Sequence, residues 1–217
     1  GLREYEENPT RCVALTCMGE VQKAHLIKND IEVDENIELT LHMMSRLEIL
    51  THIGTHIDAP CHFIAEGAWT VDEIPLGHTI GKGRVVPLTH LQGRQAITAD
   101  EIIKSGVELD SSVIPVLYTG WTERTWDTDE FWGESVYLDT TAAEYIVDKG
   151  CKAVALDCFP EAPFWLGIED DQPPGRNHKT FLGNKCIIMQ LLTNIGALGN
   201  RDFTLYGIPL PLQGLSR

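Results

Sequence analysis

From Ile37 to Met43 the chain alternates apolar and polar residues (IELTLHM), the two-residue period of a strand with one face buried. Arg84–Leu88 (RVVPL) and Val113–Tyr118 (VIPVLY) are short, nearly unbroken apolar runs that also suit strands. The proline inside each points to an edge position or a strand start, because proline has no N–H to offer a neighbouring strand. Thr98-Ala-Asp-Glu101 and Thr141-Ala-Ala-Glu144 have the spacing of a capping box, in which a hydroxyl and a carboxylate satisfy free N–H groups of the first helical turn. These two helices should stop near Gly106 and Gly150, since glycine readily takes the left-handed conformation that ends a helix. With the apolar Ala153–Asp157 (AVALD) after the second helix, the order reads strand, helix, strand, the unit of a parallel sheet. The fold class is therefore α/β. Two polar and aromatic stretches, Trp121–Trp132 and Phe159–Lys179, read as long loops suited to lids or binding surfaces.

No repeat, low-complexity tract or linker divides the 217 residues, so residues 1–217 are expected to form a single domain. Apolar residues make up 43% and charged residues 23%, as in ordinary water-soluble proteins. The net charge of −15, from 32 acids against 17 bases, argues against nucleic acid and against anionic lipid, both of which require clustered positive charge. It also favours a neutral or zwitterionic substrate over an anion. No apolar run approaches the roughly 20 residues that cross a bilayer. No secretory signal is visible, although the chain starts with Gly1 rather than Met. Cys12, Cys17, Cys61, Cys151, Cys158 and Cys186 form no C-x-x-C pair and read as reduced, mostly buried residues of a cytoplasmic protein.

The chemistry concentrates in His52-Ile-Gly-Thr-His-Ile-Asp-Ala-Pro-Cys-His62, where three of the eight histidines and an aspartate fall within eleven residues. A lone histidine is ordinarily a packing residue with hydrogen-bonded neighbours. Here His52, His56, Asp58 and His62 all hold even positions, so an extended segment would place them on one face. Burying that many polar groups together is costly unless something satisfies them. Two imidazoles and a carboxylate suit Zn²⁺, Mn²⁺ or Fe²⁺ and leave coordination positions for water and substrate. His62, just beyond the ligands, could exchange a proton with that water and the leaving group. Cys61 lies between the histidines, but the alternation turns it to the opposite face. No serine sits in a G-x-S-x-G turn, the glycines of Gly77–Gly83 are too loosely spaced for a phosphate loop, and His25, His42, His78 and His90 are isolated. Trp121, Trp126, Trp132, Phe159 and Trp165 could line an aromatic pocket.

The run H-x-G-T-H-x-D-A-P-x-H-F, intact from His52 to Phe63, resembles the signature of the cyclase family of metal-dependent hydrolases, to which bacterial kynurenine formamidase and isatin hydrolase belong. Weaker likeness continues through Leu117–Trp121, His178–Leu182, Ile187–Leu192 and Leu205–Leu212. The resemblance implies a swivelling β/β/α fold around a mixed, barrel-like central sheet, and a homodimer or higher homo-oligomer. It also implies a divalent metal (Mn²⁺ or Zn²⁺) on His52, His56 and Asp58, with His62 as catalytic acid/base. His178 matches a second-metal ligand, but the glutamate expected twelve residues later is Gln190 here. A neutral amide disfavours a second cation, so one tightly bound metal is expected, with His178 and Gln190 as weak ligands or substrate contacts. The family pattern also implies further residues beyond both ends of this chain. The implied activity is hydrolysis of a carbon–nitrogen bond in a small-molecule formamide or cyclic amide. The alternatives are opening of a lactone or isatin-type ring, or a non-catalytic metal-binding module.

Overall fold

The computed structural model describes residues 10–17, 28, 43–168, 175–199 and 201–216. These belong to two compact units, Gly1–Ile53 and Gly54–Arg217. In the first, strands β1 (Thr10–Cys17) and β2 (Met43–Ile49) pair antiparallel, with an irregularity in register between Cys12 and Ala14. The alternating run at 37–43 lies outside the described residues except for Met43, which opens β2.

The second unit is built on a curled, mixed six-stranded sheet in the order β10-β4-β6-β8-β9-β3. The central strands β4 (Ile80–Pro87), β6 (Val113–Tyr118), β8 (Ala153–Leu156) and β9 (Ile187–Gln190) run parallel. The two edges, β3 (His56–Asp58) and β10 (Phe203–Tyr206), run antiparallel to their neighbours. Both faces of the central strands are covered, which is why their sequences are continuously apolar rather than alternating. Val113, Leu117, Val154, Leu156 and Ile188 pack on one side with the helices. Ile114, Val116, Ala153, Ala155, Ile187 and Met189 pack on the other.

Helices α1 (Leu76–Thr79), α2 (Ala99–Lys104), α3 (Trp121–Thr125), α4 (Asp129–Gly133), α5 (Thr140–Asp148) and α6 (Arg176–Gly183) complete the unit, with a small parallel pair of β5 (Ala96–Ile97) and β7 (Tyr137–Leu138). The strand–helix–strand unit expected from the sequence is present as β6, α5 and β8, and Gly106 and Gly150 both have positive φ where their helices end. Thr98 caps α2 by accepting from the Glu101 N–H. The second cap moves: Asp139, not Thr141, accepts from the Ala142 N–H and starts α5. An aspartate is a strong N-cap, and Thr141 instead bonds Asp139 and accepts from the Ala99 N–H.

Two other expectations are corrected. Pro115 lies in β6, an interior strand, and Pro87 ends β4 rather than starting it. The interior proline is tolerated because pairing of β6 with β8 begins only at Val116. The stretch Trp121–Trp132 is helical (α3 and α4) and contributes Trp121 and Phe131 to the core, so it is not an open loop. Of Phe159–Lys179, Phe164–Leu166 forms a 3-10 turn and α6 begins at Arg176, while residues 169–174 lie outside the described ones.

Candidate metal centre

Cross-strand register builds half of the centre. His56 stands opposite Gln190 and Asp58 opposite Ile188, so His56, Asp58 and Gln190 share the sheet face that Ile188 presents to the helical layer. Asp58 is fully buried. Gln190 closes the arrangement: its amide nitrogen donates to Asp58 Oδ2 at 2.8 Å and lies 2.9 Å from His56 Nε2.

The other half comes from α6, which crosses from β8 to β9. Phe181 and Leu182 are buried against the sheet; His178, three and four residues before them, lies on the same helical face. Burying each of those two side chains stabilises the helix by about 1.5–3 kcal/mol. His178 Nε2 lies 3.5 Å from Asp58 Oδ2, and its Nδ1 is 2.6 Å from Glu161 Oε1. Phe63 stacks on the His178 ring at 4.4 Å and meets His62 edge-on at 4.7 Å. That stacking needs Gly175, whose positive φ and missing Cβ leave room for Phe63.

The segment 52–62 is not one extended strand, so the even-numbered positions do not share one strand face as expected. Only His56–Asp58 is β-strand; His52 and Gly54 have positive φ, and Pro60–His62 is a 3-10 turn. The side chains converge through these bends instead. Ligand atoms of His52, His56 and Asp58 all lie within 4.8 Å of one another, as do those of Asp58, His62 and His178. Cys61 does turn away, its thiol reaching the Leu215 carbonyl at 3.6 Å, and burial pushes that thiol's pKa up.

The donor set fits a divalent cation. His56 Nδ1 is 2.8 Å from the Gly54 carbonyl, which only accepts, so that nitrogen carries the proton and Nε2 presents its lone pair inward. In the same way the Glu161 carboxylate fixes the Nδ1 proton of His178. Burial alone would lower the His178 pKa, but hydrogen bonds with Asp58 and Glu161 carry it to about 9. A cation competes with the Nε2 proton for that lone pair. Burial lowers the pKa of His62, which favours the neutral imidazole that can accept a proton. A half-turn of the Gln190 amide would present its oxygen where the nitrogen now lies.

Sequence reasoning missed Glu161 and Phe63. Phe63 closes the motif itself, whereas Glu161 sits between two prolines, seventeen residues from its partner, and no local pattern marks it. Asp157 was also missed as the organiser of the Leu117–Trp121 run: its buried carboxylate accepts from the Thr119 and Gly120 N–H groups and the Thr119 hydroxyl. Four of the five aromatic residues expected to line a pocket pack on one another or on Phe131, while Trp121 lines a cavity with Gln92, Arg124 and Glu130. Trp126 packs on Phe131, Phe131 on Trp132 and Phe159, and Trp132 on Phe159 and Trp165.

The model of the Cyclase family, described as putative cyclase, matches residues 10–160. The chain belongs to this family. It is 29% identical over 170 residues to the kynurenine formamidase of Geobacillus thermodenitrificans, covering 78% of this chain and 73% of that protein. A solved potential metal-dependent hydrolase with cyclase activity is 29% identical with a TM-score of 0.61, over 79% of this chain and 77% of the other. An isatin hydrolase bound to the product analogue thioisatinate shares the fold, at 20% identity and a TM-score of 0.71, over 85% of this chain and 76% of the other. These relatives make the Cyclase-family chain an enzyme, which removes the non-catalytic reading, and together with the His/Asp cluster they support a divalent metal and a small-molecule substrate. Among the described residues no helix is long and apolar enough to cross a membrane.

Proposed function

We propose that this enzyme hydrolyses a carbon–nitrogen bond of a formamide or cyclic amide, as the kynurenine formamidases it resembles are named for doing. His52, His56 and Asp58 would hold a divalent cation, Mn²⁺ or Zn²⁺, with His178 beside Asp58 and Gln190 between His56 and Asp58 as weak ligands or substrate contacts. When bound, the cation activates water and polarises the substrate carbonyl. His62, on the 3-10 turn beside Asp58, takes a proton from the attacking water and returns it to the leaving nitrogen. The observation that carries this reading is Asp58: a fully buried carboxylate common to both imidazole sets.

The test is to strip the protein with chelator, reload it with Mn²⁺ or Zn²⁺, and assay N-formylkynurenine, isatin-type cyclic amides and lactones. Metal-dependent turnover of a formamide or cyclic amide is expected, and it should disappear with the bound metal in His56→Ala. Turnover untouched by chelator rejects the reading, and turnover confined to lactones moves it to the ring-opening alternative.

We propose further that residues 1–217 act as one functional domain, since the family match spans both units. A homodimer is supported by the exposed row Tyr206, Ile208 and Leu210 on and after the edge strand β10, and sedimentation would measure it. A cytoplasmic setting is supported by Cys61, Cys151, Cys158 and Cys186, all free thiols.

A further inference from the structure

We propose that Glu161 is a positioning residue that sets the metal-binding nitrogen of His178. This rests on the reading of His178 as part of the metal centre. An imidazole can bind through either nitrogen, and an outer acceptor decides which one is left with a lone pair. Glu161 Oε1 accepts a hydrogen bond from the Nδ1–H at 2.6 Å, while Nε2 faces Asp58 Oδ2 at 3.5 Å. The second carboxylate oxygen accepts from the Asn177 N–H at 3.2 Å, so the carboxylate is itself held against the first turn of α6. Asn177 in turn is buried and donates to the Pro160 and Leu138 carbonyls. That ties the loop bearing Glu161 to the helix bearing His178. Phe63, stacked on the ring at 22° between planes, fixes the remaining rotation. Ring plane and proton position are therefore set by Glu161 and Phe63, which belong to neither cluster of candidate ligands.

The experiment uses full-length, chelator-stripped protein with ¹⁵N-labelled histidine, as wild type, Glu161→Gln, Glu161→Ala, His178→Ala and the double variant. Each is examined by imidazole ¹⁵N NMR and titrated calorimetrically with Mn²⁺ alone and with Zn²⁺ alone. The Nδ1 proton signal of His178, identified by its loss in His178→Ala, should survive in Glu161→Gln and vanish in Glu161→Ala. Cation affinity should fall about 10–100-fold in Glu161→Ala. In Glu161→Gln it should fall by at most about threefold, because the amide oxygen still accepts the proton though without the charge. In the His178→Ala background, Glu161→Ala should cause no further loss. An unchanged signal in Glu161→Ala overturns the proposal, as does an affinity loss equally large without His178. If His178→Ala leaves cation affinity intact, the proposal fails through its premise, and a surviving Glu161-dependent nitrogen signal identifies that as the failure.

Discussion

The two halves of the metal centre are written into the chain in different ways. His52, His56, Asp58 and His62 come from one stretch of eleven residues, whereas Glu161, His178 and Gln190 are assembled from a loop, a helix and a strand up to 29 positions apart. The first half depends on local backbone bends, the second on α6 packing across β9. A local motif keeps its side chains close along the chain, and the pairing of β3 with β9 then fixes the direction in which His56 and Asp58 face. A tertiary set exists only while Phe181 and Leu182 hold the helix down. Asp58 belongs to both, and it is there that the division can be tested.

Asp58→Asn should produce the largest effect, because it removes the anion that the two imidazole sets share among the described residues. Bound cation and hydrolysis should both be lost, read by elemental analysis and turnover. Retention of either would separate the halves and break the comparison. His62→Ala comes next: kcat should fall about 10²–10⁴-fold, the usual worth of a positioned acid/base, while the cation stays bound. A variant that lost the cation instead would make His62 a ligand of the second set rather than its proton carrier.

Gln190→Glu sharpens the comparison from the other side. A carboxylate facing His56 and Asp58 adds an anion to the tertiary half, so calorimetry should show two equivalents of Zn²⁺ where the wild type takes one. Gly175→Ala probes the packing beneath His178. Its Cβ would lie 2.3 Å from the Phe63 ring, at φ +76°, and strain of this kind costs about 1–3 kcal/mol. The melting temperature should fall by several degrees, on the scale of about 2–4 °C per kcal/mol for a chain of this size. Cation affinity should drop through the His178 side, leaving the His56 side intact.

The same division explains what could be read in advance. The motif was legible because its residues are close in sequence, but a single extended strand does not join them. Strict alternation over eleven residues gives way to positive φ at His52 and Gly54 and to a 3-10 turn at His62, since glycine and proline at 54 and 60 bend the backbone. The parallel sheet was legible because strands buried on both faces are continuously apolar. The aromatic stretch 121–132 was misread because tryptophan and phenylalanine among acids resemble an exposed loop, yet Trp121 and Phe131 point inward from short helices. Glu161 was illegible: its meaning lies wholly in a partner that the crossover brings to it.

The smallest effect is expected where sequence proximity and spatial role disagree most. Cys61 stands one residue from His62 and three from Asp58, yet its thiol faces the Leu215 carbonyl and it packs against the opposite side of the sheet from the helices. A reactive thiolate would need a lowered pKa and an exposed, electropositive setting, whereas burial raises this one. Cys61→Ala should therefore leave kcat, KM and cation content unchanged within about twofold. It should cost about 0.5 kcal/mol, as partly buried substitutions without a charged partner do, which corresponds to about 1–2 °C in melting temperature. A loss of turnover comparable to that of His62→Ala would instead place the thiol at the reacting atoms, and adjacency in the motif would then outweigh the turn that separates the two side chains.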